Sequence, residues 1–280
     1  GIEAYLAKEF PDYSVRRAFT SQIIMNHILA RDGEKIDNVE QALERAKKNG
    51  VKELIVQPTH LMQGKEYDEL KETLDKHKAD FAKVALAEPL LGEVGKDAEE
   101  INADKEQVAT LLVQAAVTDG GFDSVQKAGQ EGAAFVFLGH GTSHTAAITY
   151  SEMQTAMRKL GYNNVFIGTV EGEPAETAVD AVIEAVKKAG FKKVTLRPMM
   201  VVAGDHAHND MAGAEEDSWV QKFVASKNFD RVETQILGLG GIVDIEKVYA
   251  AHTQAAIDQA EGKTAESGAA ETTAAESKAN

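Results

Sequence analysis

"NVEQALERAKKNGVKELIVQPTHLMQGKEYDEL" (residues 38–70) falls over "AVDAVIEAVKKAGFKKVTLRPMMVVAGDHAHND" (178–210) without a gap when the chain is shifted by 140 places. Each stretch reads as an amphipathic helix stopped by Lys-Lys-x-Gly, closing on Gly50 or Gly190. A short strand follows, then Pro58 or Pro198 and a loop with Gly64 or Gly204. Cations in a last helical turn answer the helix dipole, and a Gly just beyond accepts the left-handed conformation that ends it. Few residues are identical, but the punctuation coincides, so the chain reads as an internal duplication.

Upstream, "YSVRRAFTS" (13–21) matches "NNVFIGTVE" (163–171) at a slightly different offset. The second copy starts earlier, with an apolar strand over 133–139, a Gly-His-Gly turn and a helix over 146–160. The first copy begins inside the equivalent helix, "IEAYLAKEF" (2–10). The comparison therefore predicts that the first strand of the N-terminal half is missing from the chain. Strands are expected near 14–19, 52–57, 83–87, 133–139, 164–169, 193–197 and 233–237, with a last helix over 242–260. Strands alternating with helices imply an α/β fold with parallel sheets covered on both faces. The expected architecture is two similar doubly wound domains, residues 1–127 and 128–260, facing each other across an interdomain cleft. Ligands of such sheets bind beyond the carboxyl ends of the strands.

The length of 280 residues suits this arrangement, and the net charge of −15 with no basic patch excludes a nucleic-acid-binding surface. Part of the acidity is local. The segment 261–280, "EGKTAESGAAETTAAESKAN", has no large apolar residue and is expected to be a disordered tail. The absence of Cys removes disulfides, thiolate metal sites and cysteine nucleophiles. No apolar run is long enough to span a membrane. A cytoplasmic location is expected, with export left open because the chain starts within a helix; the sequence also leaves a homo-oligomer open.

Three polar residues fall at the carboxyl ends of consecutive strands of the second half: His140, Glu171 and His206. In a parallel sheet those ends share one edge, so the three can converge. Two imidazoles and a carboxylate form a borderline donor set suited to Co²⁺, Ni²⁺, Fe²⁺ or Zn²⁺. His144 and His208 are neighbours that could relay protons or serve as outer donors, although the favoured reading of each is a solvent-facing residue. His60 and Glu66 occupy the first-half copy, where Glu66 aligns with His206 and could face the site from across the cleft. His27, His77 and His252 lie on expected helices and read as surface or packing residues. Met199-Met200-Val201-Val202 reads as a buried strand end that could also wall a flat ligand. Gly139, Gly141, Thr142 and Ser143 form a turn whose N–H and hydroxyl groups could hold an anion. "GHGTSH" lacks the third Gly of a dinucleotide fingerprint, and no G-x-S-x-G elbow is present.

At "RAFTS" (17–21), "GHGTSH" (139–144), "GTVE" (168–171), "MMVVAGDHAHNDMAG" (199–213), "DSW" (217–219) and "GLG" (238–240), the chain resembles the sirohydrochlorin cobaltochelatases of the anaerobic cobalamin pathway. These belong to the class II chelatase superfamily. The resemblance covers residues 1–257. It implies two α/β domains with a tetrapyrrole in the cleft and places the family's metal-handling His, Glu and His on His140, Glu171 and His206. His140 is then expected as principal base, with His206 and Glu171 holding the ion, and Co²⁺ is a substrate rather than a permanent cofactor. Arg17, Thr20, Ser21, Gly141, Thr142 and Ser143 become candidate contacts for the substrate's carboxylates. Two features depart from the family: the opening strand with its Phe-Gly-Thr-Ser-like turn is absent, and the acidic tail is extra. Iron or nickel insertion, or a non-catalytic carrier of tetrapyrrole or metal, would use the same residues.

Overall fold

The computed structural model describes residues 1–263; the expected disordered tail lies almost wholly outside the described residues. In chain order the elements are α1 (Ile2–Glu9), α2 (Gln22–Asp32), α3 (Val39–Lys48), β1 (Glu53–Val56), α4 (Lys65–His77), β2 (Lys83–Leu86), α5 (Ala103–Asp119) and α6 (Val125–Gln130). The second half continues with β3 (Ala133–Gly139), α7 (Ile148–Lys159), β4 (Val165–Thr169), α8 (Val179–Lys188), β5 (Lys193–Pro198), α9 (Trp219–Ala225), β6 (Arg231–Thr234) and α10 (Val243–Ala260).

Two parallel sheets result: β1 pairs with β2, and four strands run in the order β4-β3-β5-β6. Two helices stop alike, for α3 ends at Asn49 and Gly50 as α8 ends at Ala189 and Gly190, both glycines at positive φ. Asn38 begins α3 with a capping box to Gln41, which satisfies two N–H groups the helix cannot pair internally.

The central strand β3 is buried at every residue. Phe135 and Phe137 point to the face covered by α5, α6 and α7, whereas Ala134, Val136 and Leu138 face α8 and α9. This two-sided burial explains the unbroken apolar run, since a strand covered on both faces has no polar alternation. The helices cross over between the halves. α5 joins the core over the four-stranded sheet, while α10 returns to pack Ala256 on Ala85 of the two-stranded one and on Ala87 just beyond it.

One expected strand does not form. Residues 14–19 make a single parallel bridge, Phe19 to Asn38, rather than a ladder. Arg16 and Arg17 are exposed there, and their charges suit a solvated segment better than a buried strand. The last strand is Arg231–Thr234 rather than 233–237. Gln235 still donates its amide to Leu196, but its side chain turns to the Ala116 carbonyl and to Arg197, which ends the pleat.

Candidate metal and proton-transfer site

β3 delivers His140 at its carboxyl end, and the ladder to β4 continues one step beyond the strands. Val170 N–H donates to Gly139 O at 3.0 Å, and Glu171 N–H donates to His140 O at 2.9 Å. Glu171 is thereby fixed beside His140 by backbone alone. The loop after it is held by Thr169, whose hydroxyl bonds to Thr177 Oγ1 at 2.7 Å and to Glu173 O at 3.2 Å. His206 arrives from the loop after β5, at the start of a π-helical turn, His206–Met211. That loop is secured by the "GLG" segment: Leu239 and Gly240 donate to the carbonyls of Met200 and Val201. A Cβ on Gly238 would lie 2.7 Å from both Ala203 N and Val201 O, so this glycine serves close backbone approach rather than phosphate binding.

His140 Nε2 and His206 Nε2 are 3.0 Å apart, with their rings edge to face at 83°. His140 Nδ1 is 3.0 Å from Gly141 O and 3.5 Å from Glu171 Oε1. Glu171 therefore approaches one edge of the His140 ring and His206 the other. Each of the three side chains is about half exposed, at 44%, 48% and 49%, so a ligand can reach them. Among the described residues, no three His, Asp or Glu side chains are gathered tightly enough to hold a metal ion as they stand.

The turn after His140 is braced from below by Tyr150, which the sequence reading missed. Its hydroxyl accepts the Gly141 N–H at 3.1 Å, and burial pushes the phenol up to about 12. The only sequence signal is Gly139: a Cβ there would lie 2.1 Å from Tyr150 Cε1. Two other amides of the turn are also engaged, His144 N–H with Thr142 Oγ1 and Ala146 N–H with His144 Nδ1. Ser143 is exposed.

Several other expected residues have partners of their own. Arg17 is paired with Glu34 at 3.1 Å and Glu3 at 3.8 Å; Ser21 caps α2 by accepting from Ile24 N–H; Thr20 is exposed. His208 bonds Gly204 O through Nδ1. His144 reaches across to Asp68 on α4. Glu66, also in the first turn of α4, is close enough for its charge to act on His60 and Tyr150. His60 has its Nδ1 sealed from solvent without a hydrogen-bond partner, and burial pushes the imidazole below its ordinary value. Met199 is fully buried while Val202 is 74% exposed, so only part of this segment is the buried strand end expected.

Two parallel-sheet α/β domains with a histidine pair at one sheet edge define a class II chelatase-like architecture. The family described as Cobalt chelatase (CbiK) matches residues 1–258, and the chain belongs to that family. It is an enzyme of the metal–tetrapyrrole lyase class. The chain is 31% identical over 261 residues to a sirohydrochlorin cobaltochelatase of Salmonella typhimurium, covering 92% of this chain and 89% of that protein. It is 31% identical over 219 residues to the sirohydrochlorin cobaltochelatase CbiKC of Nitratidesulfovibrio vulgaris, covering 78% and 71%. Among solved structures, SirB from Bacillus subtilis with Fe3+ superposes with a TM-score of 0.58 at 15% identity, covering 93% of this chain and 90% of that one. The cobalt complex of the sirohydrochlorin chelatase SirB from the subspecies spizizenii gives 0.52 at 12%, covering 93% and 89%. At such identities the likeness is one of fold. Among the described residues no helix is long and apolar enough to cross a membrane.

Proposed function

We propose that this chain inserts Co²⁺ into sirohydrochlorin in the cytoplasm, using His140, His206 and Glu171, with the metal as substrate and no resident ion. The observation that carries the reading is the pair of Nε2 atoms facing each other at 3.0 Å. Two imidazole nitrogens bound to one ion at about 2.0–2.1 Å each stand roughly 2.8–3.4 Å apart for bond angles between square and tetrahedral. A small parting of the rings therefore admits a divalent ion.

Insertion requires stripping water from the ion, removing two pyrrole N–H protons and exposing the ring nitrogens. As the ion passes from imidazoles to macrocycle, two lone pairs are vacated where two protons are released. Neutral imidazole suits proton acceptance near neutral pH. His140 is the principal base, with Glu171 lying by its Nδ1 edge at 3.5 Å. Halves 1–127 and 128–260 are the duplicated units, with α5 and α10 each reaching the other's sheet.

The test is to incubate the protein with sirohydrochlorin and Co²⁺, Fe²⁺ or Ni²⁺ in turn and follow the absorbance change. Many turnovers with Co²⁺ fastest are expected; one equivalent without product release supports the carrier reading instead. His140→Ala should abolish insertion with the circular dichroism spectrum unchanged, and near-normal chelation by that variant defeats the assignment.

A further inference from the structure

We propose that Asp210 is a positioning residue for metal handling: it fixes the His206 ring so that Nε2, not Nδ1, is presented to the ion. The proposal rests on the reading that His206 holds the metal.

Asp210 Oδ2 lies 2.5 Å from His206 Nδ1. The two residues are four apart within the π-helical turn His206–Met211. A π turn is a rare backbone form that recurs at functional sites; here it brings the carboxylate up to the ring's near nitrogen. A carboxylate only accepts, so it keeps the hydrogen on Nδ1 and leaves Nε2 to face His140. The opposing ring is set in the same way by backbone, since Gly141 O also only accepts, and holds the hydrogen of His140 on Nδ1. With an ion between the rings, the two Nε2 lone pairs are thus aimed at it by two outer acceptors, one charged and one a carbonyl; without the ion, the 3.0 Å approach of the two nitrogens needs a hydrogen on one of them.

A purely structural role for the pair is poorly supported. His206 and Asp210 are 49% and 44% exposed, and ion pairs at such exposure contribute little to stability. The neighbouring His208 provides an internal contrast. Its Nδ1 is taken by Gly204 O from the preceding loop, and no carboxylate is paired with it among the described residues. Of the two histidines in "DHAHND", only His206 combines an outer carboxylate with an inner imidazole partner.

The test compares Asp210→Ala, Asp210→Asn and His206→Ala in the full chain, by calorimetric titration with Co²⁺ alone and by steady-state chelation at varied Co²⁺ and varied sirohydrochlorin. Removing such an outer partner weakens metal binding by about 10–100-fold. Asp210→Ala should show that loss in Co²⁺ affinity and in KM for Co²⁺, with KM for sirohydrochlorin and the melting temperature unchanged. Asp210→Asn, whose amide oxygen still accepts from Nδ1–H, should recover much of it. If His206→Ala binds Co²⁺ normally, the ligand reading fails. If His206→Ala loses the metal but both Asp210 variants keep it, the positioning role fails. A joint rise of both KM values with a lower melting temperature also overturns it, in favour of a folding role.

Discussion

His144 Nε2 lies 3.2 Å from Asp68 Oδ2, joining the turn that follows β3 to the first turn of α4 in the other half. The tautomer follows from the other ring nitrogen. His144 Nδ1 accepts the Ala146 N–H at 3.2 Å, so the hydrogen sits on Nε2 and is donated to Asp68. The contact spans the two halves at the level of the site, with Glu66 two residues from Asp68. Asp68→Ala should raise KM for the tetrapyrrole several-fold while leaving kcat near the parent value, because the turn after β3 is no longer tied to α4. Stability should fall by less than about 1 kcal/mol, as for other exposed pairs. Steady-state kinetics alongside a melting curve check this; an unchanged KM shows that the His144–Asp68 contact does not shape the tetrapyrrole site.

Tyr150→Phe should be costly despite the small change in volume. The phenol is 3% exposed and its oxygen accepts the N–H of buried Gly141. Loss of that acceptor leaves a buried donor unpaired, which costs about 1–3 kcal/mol. The same loss frees the turn that carries His140, so kcat should fall as well. Urea unfolding and chelation rates measure the two effects. A variant with parental stability and rate would show that the turn holds itself.

The buried ion pair Lys105–Glu152 makes a prediction about folding alone. Its charged atoms are 3.1 Å apart and the side chains are 1% and 0% exposed. Lys105 Nζ also donates to Glu93 O at 2.5 Å, and Glu152 Oε1 accepts from Gly95 N–H at 2.6 Å. Glu152→Ala should destabilise by about 3–5 kcal/mol through the uncompensated buried ammonium, whereas Lys105→Met combined with Glu152→Leu should recover much of the loss. Chemical denaturation of the single and double variants decides it, and a double variant no better than the single one contradicts the argument.

The sequence made the parallel α/β plan legible through a feature that survives divergence, the Lys-Lys-x-Gly helix stop followed by a strand and a proline. It also brought His140, Glu171 and His206 to one sheet edge, because in a parallel sheet strand ends must share it. Side-chain direction was not legible. That Glu171 meets one edge of His140 and His206 the other depends on a ladder extended past β3 and on a π turn, neither of which leaves a periodic signal. The segment 14–19 misled because "SVRRAF" resembles a strand by alignment, yet strand pairing is decided by neighbours and not by the segment's own residues. Tyr150 and Asp68 were silent for a related reason: each acts across a distance in sequence that no local pattern encodes.

His252 and His60 should give the pH dependence of stability opposite contributions. Burial disfavours the His252 cation, but hydrogen bonding to Asp104 at 3.1 Å, and the Glu88 carbonyl at 3.2 Å on the other nitrogen, outweigh it and raise its pKa above the ordinary imidazole value. Both partners accept, so only the doubly protonated ring satisfies them. A raised folded value means stabilisation that is complete below the unfolded pKa and is lost as pH rises through the folded one. His60 runs the other way: burial lowers its pKa, with Glu66 only partly opposing, so its contribution is present above the unfolded value and lost as pH falls through the depressed one. Unfolding at about pH 5.5 and about pH 8.5 brackets the ordinary value of about 6.5. The stability gap between parent and variant should widen at the acidic condition for His252→Gln and narrow there for His60→Gln. Gaps that move together with pH would show that neither burial nor the Asp104 bond sets these titrations.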